Sequence, residues 1–308
     1  MRTTSINTLY EFAKKDERII FLTGDLGFSV LERFKEDFPN RFYNVGIAES
    51  NMIGLAAGLA HSGKIVFVYS IMPFVTARCY EQIKIDVCYH NLNIKIVGVG
   101  GGVSYGSQGA THHANEDIAI MRALPNMKVI CPSDQYEAKE SIKMAIEQKG
   151  PVFIRLERNN EPKLYSDRND FSLGKGYVAQ EGKDISIISC GTMVGVALKA
   201  AKILNDYDIS TKVISMYSVK PIDKDIVLKC MKDTKAIFTI EEHNIIGGLG
   251  SAVAEIIAES NCAITFERFG INDKFIDIVG TQDYIRQELE INPEDISNKI
   301  LKQLKNMG

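Results

Sequence analysis

The chain has 308 residues, 45% of them hydrophobic, and 36 basic against 39 acidic side chains leave a formal net charge of −3. That is enough material for a full core, most simply divided over two domains. The near balance of charge, without any block of Lys or Arg, argues against a nucleic-acid partner. No apolar run approaches the roughly 18 residues of a membrane span, and the N-terminus lacks a signal-peptide core, so a soluble cytoplasmic protein is expected.

A helix over 5–15 and a strand over 19–22 lead into Thr23-Gly24-Asp25-Leu26-Gly27-Phe28-Ser29. A loop at a strand's carboxyl end is where open α/β sheets bind ligands. After a helix over 31–38, residues 43–48 read as a short buried strand, and from Asn51 the positions Met52, Ile53, Leu55, Ala56 and Leu59 recur at helical spacing. Glu49 therefore falls at a strand-to-helix corner. On its own it is either a carboxylate that complements the helix macrodipole or a functional acid. Gly54 and Gly58 share one helical face; each costs about 1 kcal/mol relative to Ala but lets another backbone approach, which suits an interface.

A strand over 64–69 precedes Pro73, which fits the first turn of a helix running to about 89, in which Phe74, Ala77, Tyr80 and Cys88 sit among Arg78, Glu81, Lys84 and Asp86. The strand over 93–99 enters a loop, 98–109, with six glycines in twelve residues. Such a backbone can approach another group closely or turn through positive φ, but it matches neither the Walker pattern nor Gly-x-Gly-x-x-Gly. His112 and His113 close it, a better position for a site than the middle of a packed element. A helix over 116–124, a strand over 127–131, the cap signal Pro132-Ser133-Asp134, a helix over 137–147 and a strand over 151–156 follow. This alternation predicts a largely parallel sheet covered on both faces.

The polar run 157–170, containing Pro162, reads as a linker to a second α/β domain. That domain has strands expected over 185–189, 212–216, 236–240 and 263–266, helices near 194–206, 224–232 and 250–260, and a charged helical tail over 282–306. Six scattered cysteines without a Cys-x-x-Cys pair suit reduced thiols rather than disulfides or a zinc site.

Val45-Gly46-Ile47-Ala48-Glu49-Ser50-Asn51-Met52, Gly109-Ala110-Thr111-His112, Leu124-Pro125-Asn126-Met127, Pro132-Ser133-Asp134 and Glu241-Glu242-His243-Asn244-Ile245-Ile246-Gly247-Gly248-Leu249-Gly250 stand in the order found in transketolases. Over nearly its whole length the chain resembles the C-terminal (beta) subunit of a split transketolase. The resemblance implies a pyrimidine-binding domain over 1–160, a linker over 161–174 and a transketolase C-terminal domain over 175–308, each a largely parallel sheet flanked by helices. It also implies thiamine diphosphate as cofactor. The Gly-Asp-Gly with which the family holds Mg2+ and the diphosphate is absent, Gly24-Asp25-Leu26 being the nearest run. Both are therefore expected on a partner, an N-terminal transketolase subunit, in an α2β2 heterotetramer.

Carried over position by position, Glu49 matches the acid that shares a proton with N1′ of the pyrimidine. Phe74 matches an aromatic that packs on that ring; at Ile71, where some transketolases carry another aromatic, there is an aliphatic wall. Asp25 matches an acid near the thiazolium, and His112 a histidine on the substrate's hydroxyls. Arg2, Ser29 and Arg158 match groups that bind the sugar phosphate. Two positions depart from the family. Gln108 replaces an acid that reads hydroxyl configuration, and Gly100 falls where many transketolases place a second substrate histidine, which is expected to open space. These departures imply ketol transfer with a sugar other than the usual pentose phosphates. The competing readings are a 1-deoxyxylulose-5-phosphate-synthase-like activity, normally with both halves in one chain, and a 2-oxoacid dehydrogenase beta subunit, usually without Gly-Ala-Thr-His. A non-catalytic partner-binding protein is opposed by the joint presence of Glu49, Asp25 and His112.

Overall fold

The computed structural model describes all residues except 28, 159–162, 166–167, 169 and 307–308. Phe28, Pro162 and the expected domain boundary at 160/161 lie outside the described residues. In chain order the strands are β1 (Ile19–Thr23), β2 (Phe42–Asn44), β3 (Ile65–Ile71), β4 (Ile94–Val99), β5 (Lys128–Ile130), β6 (Val152–Leu156), β7 (Tyr177–Gln180), β8 (Ile185–Ser189), β9 (Thr211–Ser215), β10 (Ser218–Lys220), β11 (Ala236–Asn244) and β12 (Thr265–Ile271). The helices are α1 (Arg2–Ala13), α2 (Glu32–Asp37), α3 (Glu49–His61), α4 (Met72–Val75), α5 (Tyr80–Gln82), α6 (Asp117–Ala123), α7 (Gln135–Glu147), α8 (Met193–Asn205), α9 (Lys224–Asp233), α10 (Leu249–Glu259), α11 (Gln282–Glu288) and α12 (Pro293–Lys305).

Two sheets result, ordered β10-β5-β6-β4-β3-β1-β2 and β12-β11-β8-β9-β7. β1, β4, β6, β8 and β9 are buried at every position, as expected of parallel strands covered on both faces. Among the described strands only the pairings β10 with β5 and β7 with β9 are antiparallel. One apolar core runs without a break from Ile20, Met52 and Val68 through Met121 and Phe153 to Ile188, Ile214 and Leu249, so the two sheets share it. The sharing is closed by β10, which follows β9 of the second sheet yet pairs with β5 of the first.

Several expected elements differ. The run 43–48 is not a buried strand: β2 is an edge strand, Tyr43 is 41% and Ile47 78% exposed, and only Val45 packs against the core. The single helix expected over 73–89 breaks after α4 at Thr76, whose hydroxyl donates to the Met72 carbonyl at 2.6 Å, and it ends in a wide π turn over Ile83–Tyr89. Such back-bonding competes with the helix ladder and bends it. The tail forms two helices, with Asn292 capping α12 and Pro293 in its first turn.

Local signals explain the ends that position the site. α3 stops where Gly63 takes φ +84, the left-handed conformation that closes helices. Asp134 is fully buried and caps α7 through the Glu137 N–H at 2.9 Å, while its other oxygen accepts from the N–H groups of Leu164 and Tyr165, both at 3.2 Å. Asp134→Ala strands three donors, two of them buried, and is expected to lower the unfolding free energy by about 2 kcal/mol, read as a lower denaturant midpoint at unchanged slope.

Candidate active site

From β1 the chain passes to β2 on one side and returns to β3 on the other, so β1 and β3 are neighbours at which the strand order reverses. Such a switch point leaves a crevice at the strands' carboxyl ends. Gly24 follows β1 there, Ser70 and Ile71 end β3, and α3 begins over the gap with Glu49. The Glu49 side chain is 1% exposed; Oε1 accepts from Ser70 Oγ at 3.2 Å and Oε2 pairs with Arg78 Nη1 at 2.7 Å. A methyl at Gly24 would stand 3.4 Å from Oε1. Although Glu49 lies in the first turn of α3, its recorded bonds go to side chains of other elements. The carboxylate is aimed into the crevice, which its macrodipole role alone does not require.

Arg78 was not singled out in the sequence. It stands four residues after Phe74, beyond the helix break at Thr76, and its guanidinium lies 4.2 Å over the Phe74 ring. On the other side His112 meets Phe74 edge-on, the centroids 5.1 Å apart at 68°. Thr111 Oγ1 and His112 Nδ1 are 2.9 Å apart. The ring of Tyr105 is tilted against His112 at 5.9 Å, and the Arg158 guanidinium covers Tyr105 at 4.5 Å. Burial pushes the Tyr69 hydroxyl pKa up, and the charge of Arg2, at the start of α1, opposes that rise. Burial pushes the Tyr105 hydroxyl pKa up, while the charges of Arg158 and Arg2 oppose that rise. Glu49, Phe74, His112, Arg2 and Arg158 thus line one continuous group, extended by Arg78 and Tyr105.

The space expected at Gly100 is not open. Gly100 has φ +90, and a Cβ there would lie 2.1 Å from Tyr105 Cε2, so the tyrosine ring fills the volume. Asp25 and Ser29 stand apart on the exposed loop after β1, at φ +56 and +69. Asn44 bridges that loop to the Glu49 corner, donating to Asp25 Oδ1 at 2.8 Å and accepting from the Asp25 and Gly46 N–H groups at 3.0 Å. Ser29 donates its N–H to Glu32 at 2.6 Å. The Gln108 side chain is exposed and Ile71 half-buried. His113 is buried, and desolvation holds its pKa below the usual value.

The glycine loop is held from below. Arg155, 3% exposed, donates to Asp117 at 2.8 Å, to Glu157 at 3.2 Å and to the carbonyls of Ala114 and Glu242 at 3.4 and 2.9 Å. Glu242 accepts from the Val103 N–H at 2.7 Å and pairs with Arg286, and Ser104 donates to Glu157. The loop that carries Tyr105 and His112 is therefore fastened to both sheets.

A buried carboxyl beside an aromatic ring and an aliphatic wall fits a heteroaromatic ring with a basic nitrogen. Among the described residues no group of three His, Cys, Asp or Glu side chains could hold a metal ion. Residues 1–163 match the description "Transketolase, pyrimidine binding domain", and residues 174–296 match "Transketolase, C-terminal domain". The chain belongs to the transketolase family. A protein of Methanocaldococcus jannaschii described as a transketolase C-terminal section is 42% identical to it over 99% of this chain and 96% of its own length. The 6-deoxy-6-sulfo-D-fructose transketolase subunit of Clostridium sp. strain MSTE9 is 39% identical over 96% of this chain and 92% of its own. A solved structure titled "Split gene transketolase, inactive beta4 tetramer" superposes with a TM-score of 0.91 at 39% identity, covering 99% of this chain and 98% of that one. The protein is thus a transketolase-type subunit corresponding to the family's beta subunits, and membership implies dependence on thiamine diphosphate. No helix among the described residues is long and apolar enough to cross a membrane.

Proposed function

We propose that this chain is the pyrimidine-binding half of a two-component transketolase that moves a two-carbon ketol unit from a ketose donor to an aldose acceptor, and that it works only with a partner subunit. The observation that carries the reading is the buried Glu49 carboxyl at the switch point, beside the Phe74 ring. Thiamine diphosphate, when bound, supplies the nucleophilic carbon. Glu49 would hold the proton at N1′, for which Arg78, whose side chain is 44% exposed, would leave Oε2. Phe74 and Ile71 orient the pyrimidine and keep water from it. His112 contacts the sugar hydroxyls, Gln108 reads them with a neutral amide, Asp25 lies toward the thiazolium, and Arg2, Ser29 and Arg158 bind the sugar's terminal anion.

The partner supplies the diphosphate and Mg2+ site in an α2β2 assembly. The exposed Ile47 and Leu55, with Gly54 and Gly58 bare between them, offer it an apolar face. The six cysteines are all free thiols, in keeping with a reducing cytoplasm. The Clostridium relative, named for a sulfosugar, together with Gln108, favours a donor other than the usual pentose phosphates.

Calorimetric titration of thiamine diphosphate with Mg2+ tests the split site. Binding is expected only when the chain is complexed with an N-terminal transketolase subunit, and tight binding by the isolated chain would overturn the reading. A steady-state screen of sugars tests the substrate; xylulose 5-phosphate with ribose 5-phosphate as the best pair would remove the claim of an altered preference.

A further inference from the structure

Tyr105 joins the two ends of the crevice. At one end are Glu49, Phe74 and His112; at the other are two guanidiniums. Arg158 lies 4.5 Å over the Tyr105 ring, and Arg2 is close enough to act on its hydroxyl. Among the described residues neither arginine has a carboxylate partner, whereas the buried Arg155, Arg168 and Arg286 all do. A pair of uncommitted cations beside a substrate crevice calls for an anion.

The ring between them is set firmly. At Gly100 any side chain would collide with it, since a Cβ would lie 2.1 and 2.2 Å from two ring carbons, and φ +90 disfavours any other residue there. The loop around it is tied by the Gln108 N–H to the Tyr105 carbonyl at 2.7 Å, by Ser104 to the Gly101 carbonyl at 2.9 Å and by the Val103 N–H to Glu242 at 2.7 Å. His112 touches the same ring at 5.9 Å. One rigid aromatic thus fixes how far Arg158 stands from His112.

We propose that Tyr105 determines donor preference by serving as the platform that holds Arg158 at a set distance from His112, so that ketoses ending in an anionic group are selected over their neutral counterparts. This rests on the transketolase reading above. Tyr105 is a positioning residue in it: the guanidinium binds the anion, and the ring keeps the guanidinium from sweeping through solvent. A sugar whose anion lies at the matching distance from its hydroxyls is held at both ends; one without an anion uses His112 alone.

The test uses the complex with its N-terminal subunit and the best donor of the screen with and without its terminal anion: xylulose 5-phosphate against xylulose, fructose 6-phosphate against fructose, or 6-deoxy-6-sulfofructose against 6-deoxyfructose. Tyr105→Leu is expected to lower the anionic-to-neutral ratio of kcat/KM by about tenfold, mainly through KM for the anionic sugar. Tyr105→Phe keeps the ring and is expected to hold the ratio within about twofold. If Tyr105→Leu fails to assemble, Arg158→Ala and the Tyr105→Phe ratio still decide: Arg158→Ala must collapse the ratio, and a ratio that survives it overturns the proposal. Where all variants assemble, Tyr105→Leu added to Arg158→Ala should cost nothing further, because the two act as one unit; additive losses would mean that the ring acts independently of Arg158. Turnover with an unchanged ratio in Tyr105→Leu overturns the role of Tyr105 alone, whereas no ketol transfer by the wild-type complex, even with cofactor bound, overturns the transketolase reading and this proposal with it.

Discussion

Glu49→Gln is expected to lower ketol transfer by the assembled enzyme by about 10²- to 10⁴-fold, the usual worth of a positioned proton partner. The substitution is nearly isosteric, and the amide can still accept from Ser70. What it loses is the ability to hold and return a proton. Arg78 loses its ion-pair partner, but its side chain is 44% exposed and can be hydrated outside the crevice, so the thermal midpoint should move little. The expected signature is a fall in kcat with assembly intact. Activity within tenfold of wild type would place the proton elsewhere and remove the argument built on the switch point.

Arg155→Met should be among the most destabilising single changes in the chain, at about 3 to 5 kcal/mol. The side chain is 3% exposed and lies between Asp117 and Glu157, themselves 1% and 3% exposed. Removing the guanidinium leaves two carboxylates and the carbonyls of Ala114 and Glu242 without that donor in a low-dielectric interior, and methionine fills the volume without satisfying them. The glycine loop should loosen with the cluster, so activity falls as well. Urea unfolding of the variant checks the magnitude, and a loss under about 1 kcal/mol would mean that water or a neighbouring cation replaces the guanidinium.

The same cluster makes stability depend on pH. Burial, and then the nearby Glu242 carboxylate, push Glu157 up to about 7 from an ordinary value of 4.5. A folded pKa above the unfolded one means that the folded state binds the proton more tightly. The contribution is therefore fully present below about pH 4.5 and is lost as pH rises through about 7. Glu137 and Glu241, raised chiefly by burial, act with the same sign. Denaturant midpoints across this window should fall with rising pH, and a flat or rising profile would show these carboxyls to be ionised throughout.

Much of the frame is legible in local sequence because it depends on local patterns. Apolar-rich runs such as 19–22 and 185–189 predict strands, and β1 and β8 there are parallel strands buried at every position. Pro132-Ser133-Asp134 announces the start of α7, and Asp134 caps it. The corner at Glu49 follows from a strand-like run giving way to helical spacing. The run itself was misjudged, because apolar residues on an edge strand look like those of a core strand until the missing neighbour is known.

What the tertiary structure alone decided are contacts between positions far apart in the chain. A three-residue strand, Ser218–Lys220, carries too little pattern to be recognised, and it is the edge of the first sheet only because β5 leaves an unpaired backbone there. Arg78 finds Glu49 across 29 residues because the helix containing it breaks at Thr76 and turns that side chain toward α3. Gly100 reads as vacant space in sequence, yet the loop folds Tyr105 back into it. Sequence by itself determined most of the strands and helices, the family, and Glu49 as the candidate acid, because propensity, burial period and motif act over a few residues. Which side chains surround that acid depended on the path of loops and the pairing of distant edges, where packing in three dimensions outweighs any local preference.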